Sequence, residues 1–137
     1  GLPGADAARE AAASLSVPLT ITDSREAMEQ YVCTPFAEAY LRGETPNPCI
    51  LCNPAVKFRT LLDEAKRVGA KYIATGHYAR IEVDEGGVSH IITAVDAEAD
   101  QSALLADLPQ ELLAKLVLPL GEFSKADAAE IAAAKAE

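Results

Sequence analysis

The chain is 137 residues long, with 12 Lys and Arg against 21 Asp and Glu and a formal charge of −9. That excess of acid opposes long-range attraction of nucleic acid, so such a partner needs a local basic patch. Half of the residues are apolar, yet there is no Trp and there are only 3 Phe, which predicts one domain's worth of chain with a thin core. The start Gly1-Leu2-Pro3-Gly4 lacks a basic signal region and no apolar run is long enough to span a bilayer, so a soluble protein without membrane contact is expected. Three cysteines in that setting predict reduced thiols and a cytoplasmic location. No initiating Met heads the chain, and it opens near a helix start, which reads as a piece of something longer.

In chain order, Asp6 is placed to cap a helix through Leu15, and Ser16-Val17-Pro18 ends it before a short strand over 19–22. Ser24 opens a second helix with Met28, Tyr31, Val32, Phe36 and Tyr40 on its apolar side. Pro35 bends or splits this helix, and Arg42-Gly43 closes it. Asn53 and Pro54 form an N-cap and first-turn pair for a third helix, which carries Val56, Phe58, Leu61, Leu62, Ala65 and Val68 and ends at Gly69. Tyr72-Ile73-Ala74-Thr75 is a compact strand, with Gly76 and His77 at its carboxyl end, the usual address for a ligand in an open α/β sheet. Two β-prone runs around Asp84-Glu85-Gly86-Gly87 predict a hairpin, an excursion from the sheet. Helices are expected over 102–108, 110–118 and 124–136, divided by Pro109 and by Pro119-Leu120-Gly121.

The chemistry concentrates in Thr45-Pro46-Asn47-Pro48-Cys49-Ile50-Leu51-Cys52-Asn53-Pro54. With Asn53 as cap, Cys52 lies just before a helix. The unpaired amides, the dipole and the nearby Lys57 and Arg59 would then favour a nucleophilic thiolate. Prolines stiffen the loop and hold the sulfur in place. Cys33 reads as a small packed hydrophobe. Cys49 and Cys52 also form a CxxC, open to a thiol-disulfide pair or half of a zinc site, although His77 and His90 stand apart and no second CxxC exists. Lys57, Arg59, Lys66, Arg67 and Lys71 gather around the helix after the loop, as either a basic patch or an ordinary solvated face.

Together, TPNPCILCN, Val56-Lys57-Phe58, Ala74-Thr75-Gly76-His77-Tyr78-Ala79-Arg80, Asp100-Gln101-Ser102 and Leu118-Pro119-Leu120-Gly121 resemble the tRNA-specific 2-thiouridylases over nearly the whole chain. The resemblance implies an α/β fold: a partial three-layer, parallel-sheet PP-loop ATPase domain with a β-hairpin excursion and C-terminal helices. It implies an enzyme that uses ATP, with Mg2+, and a protein-borne sulfur to replace the 2-oxygen of a wobble uridine. By the same resemblance Cys52 is the catalytic cysteine, and Asn47, Pro48 and Cys49 contact the target base. Gly76 binds ATP, and His77 with Ala99, Asp100 and Gln101 contacts tRNA; no tightly bound metal is implied.

The family's phosphate-cradling loop, its second, persulfide-carrying cysteine and its C-terminal tRNA-binding domains have no counterpart in the sequence, so residues 1–137 read as a partial catalytic domain without activity of its own. The implied partners are tRNA and a sulfur-donor or sulfur-carrier protein. Within the matched stretches Cys49 stands where many members have Asp, Glu44 where Arg is usual, Ala99 where Lys is usual, Ala103 where Tyr is usual and Ala129 where Arg is usual. Two other readings remain beside this one: a non-catalytic module that binds a protein partner, and a CxxC thiol-disulfide or metal protein.

Overall fold

A computed structural model of the chain describes residues 4–136; the Gly1 to Pro3 start and Glu137 lie outside the described residues. The first helix, α1 (Ala5–Ser14), begins after Gly4, so Asp6 sits in its first turn and pairs with Arg9 at 2.7 Å rather than capping it. The next helical stretch comprises α2 (Arg25–Met28), a π turn (Glu29–Cys33) and α3 (Thr34–Leu41). Pro35 has no N–H, and its ring crowds the carbonyl four residues back. The wider Thr34 to Glu29 bond relieves that conflict without breaking the helix. Of its apolar side, Val32 is buried, whereas Tyr40 is 68% exposed.

The third helix starts earlier than Asn53. Asn47 is its cap, its side-chain oxygen accepting the Cys49 N–H at 3.0 Å, and Pro48 takes the first helical position. The stretch then runs through α4 (Pro48–Cys52), a π turn (Asn53–Lys57) and α5 (Phe58–Val68), with Gly69 at φ 72 as its left-handed C-cap. Two Asn-Pro pairs carry the same cap signal. The upstream pair captures it, and Pro54 is absorbed by the second π turn.

Two strands form the parallel sheet: β1 (Ile73–Ala74) beside β4 (Leu116–Val117), in register Ile73 to Leu116 and Ala74 to Val117. The antiparallel hairpin, β2 (Arg80–Val83) and β3 (Ser89–Ile92), turns as expected at Asp84, whose Oδ1 accepts the Gly86 and Val88 N–H groups. Between hairpin and β4 lie a 3-10 turn (Ser102–Leu105) and α6 (Gln110–Leu113). The Gln110 amide docks the hairpin by donating to Ser89 O at 2.6 Å and accepting the Ser89 N–H at 2.8 Å. The helix expected over 102–108 is thus a single turn. That expected over 110–118 stops at Leu113, because Leu116 and Val117 gain a sheet partner in Ile73 and Ala74 and Pro119 disfavours helix at Leu118. The last helix, α7 (Lys125–Ala136), is capped reciprocally: the Ser124 hydroxyl accepts the Asp127 N–H, and the Asp127 carboxylate accepts the Ser124 N–H.

The strand expected over 19–22 is absent. That segment lies across a cleft of about 590 Å3, lined by Thr20 and Thr22 on one side and Tyr72, Ile73 and Ala74 on the other, so its backbone reaches no strand to pair with. Leu19 and Ile21 are 44% and 48% exposed as a result. The core centres on Phe58, Leu105, Leu108, Leu112 and Leu116 and is as thin as the composition implies. The accessible surface is 9522 Å2, against roughly 6,800 Å2 for a compact monomer of this mass.

One close approach fastens the loop after β4 onto the strand side. A Cβ added at Gly121 would stand 2.0 Å from the Ala79 carbonyl oxygen, and Gly121 O accepts the Val95 N–H at 2.9 Å. Gly121→Ala is therefore expected to lower the unfolding free energy by about 3 kcal/mol, the upper range for overpacking, as a fall in urea midpoint.

Candidate functional site

The carboxyl end of β1 leads directly into Thr75, Gly76 and His77. The loop after β4 meets them there: the space above Gly76 is bounded by Leu120 Cδ1 at 3.8 Å, an ordinary contact, and Gly76 has no left-handed φ. Neither packing nor backbone conformation therefore demands glycine at this position. Thr75, Gly76 and His77 line a cavity of about 380 Å3 with Gln101 and Lys57. Lys57 comes from the π turn that follows Cys52, so the cysteine-bearing helix supplies one wall of a pocket otherwise built from the segment after β1 and from Gln101.

His77 is buried to 7% exposure. Its ring stacks on Phe58 with centroids 5.8 Å apart and planes 22° apart, and Nδ1 shares a hydrogen bond with Thr75 Oγ1 at 2.9 Å. Burial, and then the nearby Lys57 ammonium, push its pKa below the ordinary 6.5, which favours the neutral imidazole.

Asp100 and Gln101 use their side chains inside the protein. Asp100 Oδ1 accepts the Ala94 N–H at 2.8 Å and Oδ2 accepts the Ser102 hydroxyl at 2.7 Å; the Ala94 amide is the main reason that its carboxyl is held below the usual range. Gln101 Oε1 accepts the Tyr78 N–H at 3.1 Å, and the Gln101 N–H donates to Tyr78 O at 2.8 Å. Ala99 is buried, its N–H turned onto Asp96.

Asn47, Pro48 and Cys49 form an exposed first turn of α4. Cys52 is half-buried, one turn further on. Its Sγ lies 3.7 Å from Met28 Sδ, and it is not part of the wall of the Lys57 and His77 pocket. The helix start that the sequence places at Asn53 lies instead at Asn47, so the argument that put Cys52 in front of a helix terminus does not hold; Cys52 is inside a continuous helix. All three cysteines are unbridged, and among the described residues no three His, Cys, Asp or Glu side chains stand close enough to share a metal ion. No helix among them is long and apolar enough to cross a membrane.

The structure thus brings Gly76, His77 and Gln101 together, holds Ala99 and Asp100 in the adjoining turn, and keeps the segment from Asn47 to Cys52 on a neighbouring helix. Lys57 is the pocket residue that sequence reasoning missed as a site. Its place in Val56-Lys57-Phe58, directly behind the cysteine motif, was the available signal. Of the basic cluster around α5, Lys57 lines the pocket, Arg67 pairs with Glu64 at 2.8 Å near the far end of α5, and Lys71 lies over the Tyr72 ring.

A family profile described as the tRNA methyl transferase HUP domain matches residues 3–136. The chain belongs to this family. Among curated relatives, the tRNA-specific 2-thiouridylase MnmA of Syntrophotalea carbinolica is 50% identical over 118 residues, which is 86% of this chain and 33% of that protein. The MnmA of Chloroflexus aggregans is 44% identical over 131 residues, 96% of this chain and 36% of that protein. The MnmA of Helicobacter acinonychis is 47% identical over 120 residues, 88% of this chain and 35% of that protein. The chain therefore spans about a third of the length of these relatives. The α/β reading and the resemblance seen in the motifs agree with both findings.

Because the folded pKa of His77 lies below the unfolded one, the unfolded chain binds more protons between the two values. The stability associated with neutral His77 is present above the ordinary 6.5 and is lost as pH falls through that window. The urea midpoint is expected to drop as pH falls below the ordinary 6.5, and His77→Gln should flatten that slope.

Proposed function

We propose that this chain is part of the catalytic unit of an ATP-dependent tRNA sulfurtransferase that converts a wobble uridine to 2-thiouridine, with Cys52 as its nucleophile. The observation that carries the reading is the meeting of Lys57, Gly76 and His77 at the carboxyl ends of a parallel strand pair, with Lys57 joined to Cys52 through one continuous helix. The names and identities of the relatives support it.

The residues present fit a nucleotide. Gly76 lines the pocket with no side chain of its own, which permits close approach to its backbone, and Lys57 supplies a cation for phosphate. ATP would supply activation of the uridine 2-oxygen as a leaving group. Magnesium would be held through the phosphates. In this scheme the phosphate cradle, the persulfide-bearing second cysteine and the tRNA-binding domains come from parts of the protein outside these residues. The incoming sulfur bonds to C2 of the base as the activated oxygen departs with AMP. The Cys52 thiolate would attack the inner sulfur of that persulfide, breaking its S–S bond so that the outer sulfur stays on the base and Cys52 ends in a disulfide with the second cysteine, while Asn47, Pro48 and Cys49 meet the base from the exposed first turn of α4.

Of the RNA-facing positions, His77 and Gln101 offer pocket surface, while Ala99 and Asp100 shape the turn that carries Gln101. In this reading the reaction takes place in the cytoplasm, and a sulfur-carrier protein is the second partner.

In the full-length protein, Cys52→Ser is expected to reduce 2-thiouridine formation at least about 1,000-fold, measured by mass spectrometry of digested tRNA. Residues 1–137 alone are expected to give none; ATP-dependent product from them would count against the proposal. Glu44 adds a separate test, because it both occupies a place where the family has Arg and pairs with Arg42 at 2.9 Å. Glu44→Arg frees one cation and adds another. It should tighten tRNA binding and steepen the slope of log affinity against log salt by about 1 to 2; an unchanged slope would place this turn away from the RNA.

A further inference from the structure

The Cys52 helix and the loop carrying Gly76 and His77 come from different parts of the chain, and one polar path joins them. Asn53 directly follows Cys52 and is only 2% exposed. Every face of its backbone is used: its N–H closes α4 on Cys49 O, and its carbonyl accepts the Phe58 N–H as the wide bond of the π turn. Its side-chain Nδ2 donates to Leu104 O at 2.9 Å. The Leu104 N–H in turn donates to Gln101 O at 3.0 Å, and Gln101 exchanges two hydrogen bonds with the backbone of Tyr78, the neighbour of His77.

A buried amide inside a helix is an expensive choice for packing alone. Asn favours caps and turns over helix interiors, and burying its polar atoms costs free energy unless they are bonded. It sits in the π turn that joins Cys52 to Phe58, and such turns are frequent at functional sites. We propose that Asn53 is a positioning residue: by its bond to Leu104 it fixes the Cys52 sulfur relative to the Gly76 and His77 loop, with Gln101 as the second half of the clasp. This rests on the reading of Cys52 as the nucleophile.

The test compares the full-length wild type with Asn53→Asp and Asn53→Leu. Iodoacetamide alkylation of Cys52 is followed by peptide mass spectrometry relative to Cys33, and tRNA thiolation is assayed in parallel. Asn53→Asp is nearly the same shape but at neutral pH presents acceptors to an acceptor. It should raise the Cys52 to Cys33 alkylation ratio on the order of 10-fold and lower thiolation by a similar factor. As pH falls and the buried carboxyl takes up a proton, it can donate to Leu104 O again, and the ratio should return towards wild type. Asn53→Leu should show the same loss without that recovery.

A wild-type ratio for Asn53→Asp at neutral pH, or identical pH responses of the Asp and Leu variants, overturns the proposal. Should the Asn53 variants prove insoluble, Gln101→Met removes the acceptor for Tyr78 at a half-buried position. A raised Cys52 ratio there supports the clasp and an unchanged one overturns it. If the wild type itself makes no 2-thiouridine, the functional reading fails, while the alkylation ratios still decide the clasp.

Discussion

Phe58 carries both the core and the site. It is fully buried among the leucines of the central cluster, and its ring is also the plate against which His77 lies at 5.8 Å. In a chain with so few large side chains, one ring filling both roles means that the pocket has no support independent of the core. Displacement of Phe58 would release the His77 ring, the Thr75 contact that orients it and the burial that keeps it neutral. The phase of α5 places Phe58 there, and that phase is set by the π turn immediately before it.

Local signals with no competitor were legible in the sequence. Gly69 ends α5, Asp84 shapes the hairpin, and Ile73 and Ala74 form a strand that delivers Gly76 and His77 to its carboxyl end, as read. Signals with a rival nearby were not. Asn47-Pro48 and Asn53-Pro54 are equivalent as caps on paper, and only the tertiary requirement to bury Asn53 against Leu104 distinguishes them. Leu116 and Val117 suit a helix by preference, but a vacant place beside Ile73 and Ala74 pulls them into the sheet. The segment over 19–22 shows the converse: its pattern is that of a strand, and it pairs with none of the strands among the described residues.

For the site, residue types identified the loop of Gly76 and His77 but not the wall opposite. Lys57 was legible as a charge and not as a pocket residue, because its direction depends on a π turn that no periodicity announces. The electrostatics have a similar character. Much of the cationic complement is already answered close by, Arg9 by Asp6, Arg42 by Glu44 and Arg67 by Glu64. Lys57 owes its importance to standing at a strand end beside a buried imidazole rather than to any patch.

The paired π turns impose a rule of arithmetic on this chain. Each holds one residue more than an α-helical turn would, and each residue rotates a helix by about 100°. The wide turn takes up that extra residue within one revolution, so loss of a single residue from either turn would restore a regular α-helix with the side chains beyond it facing nearly as they do now. The extra residue in each turn therefore leaves the aim of the helix beyond it intact and acts locally, in the bulge that holds Asn53 against Leu104 in the second turn and accommodates Pro35 after the first.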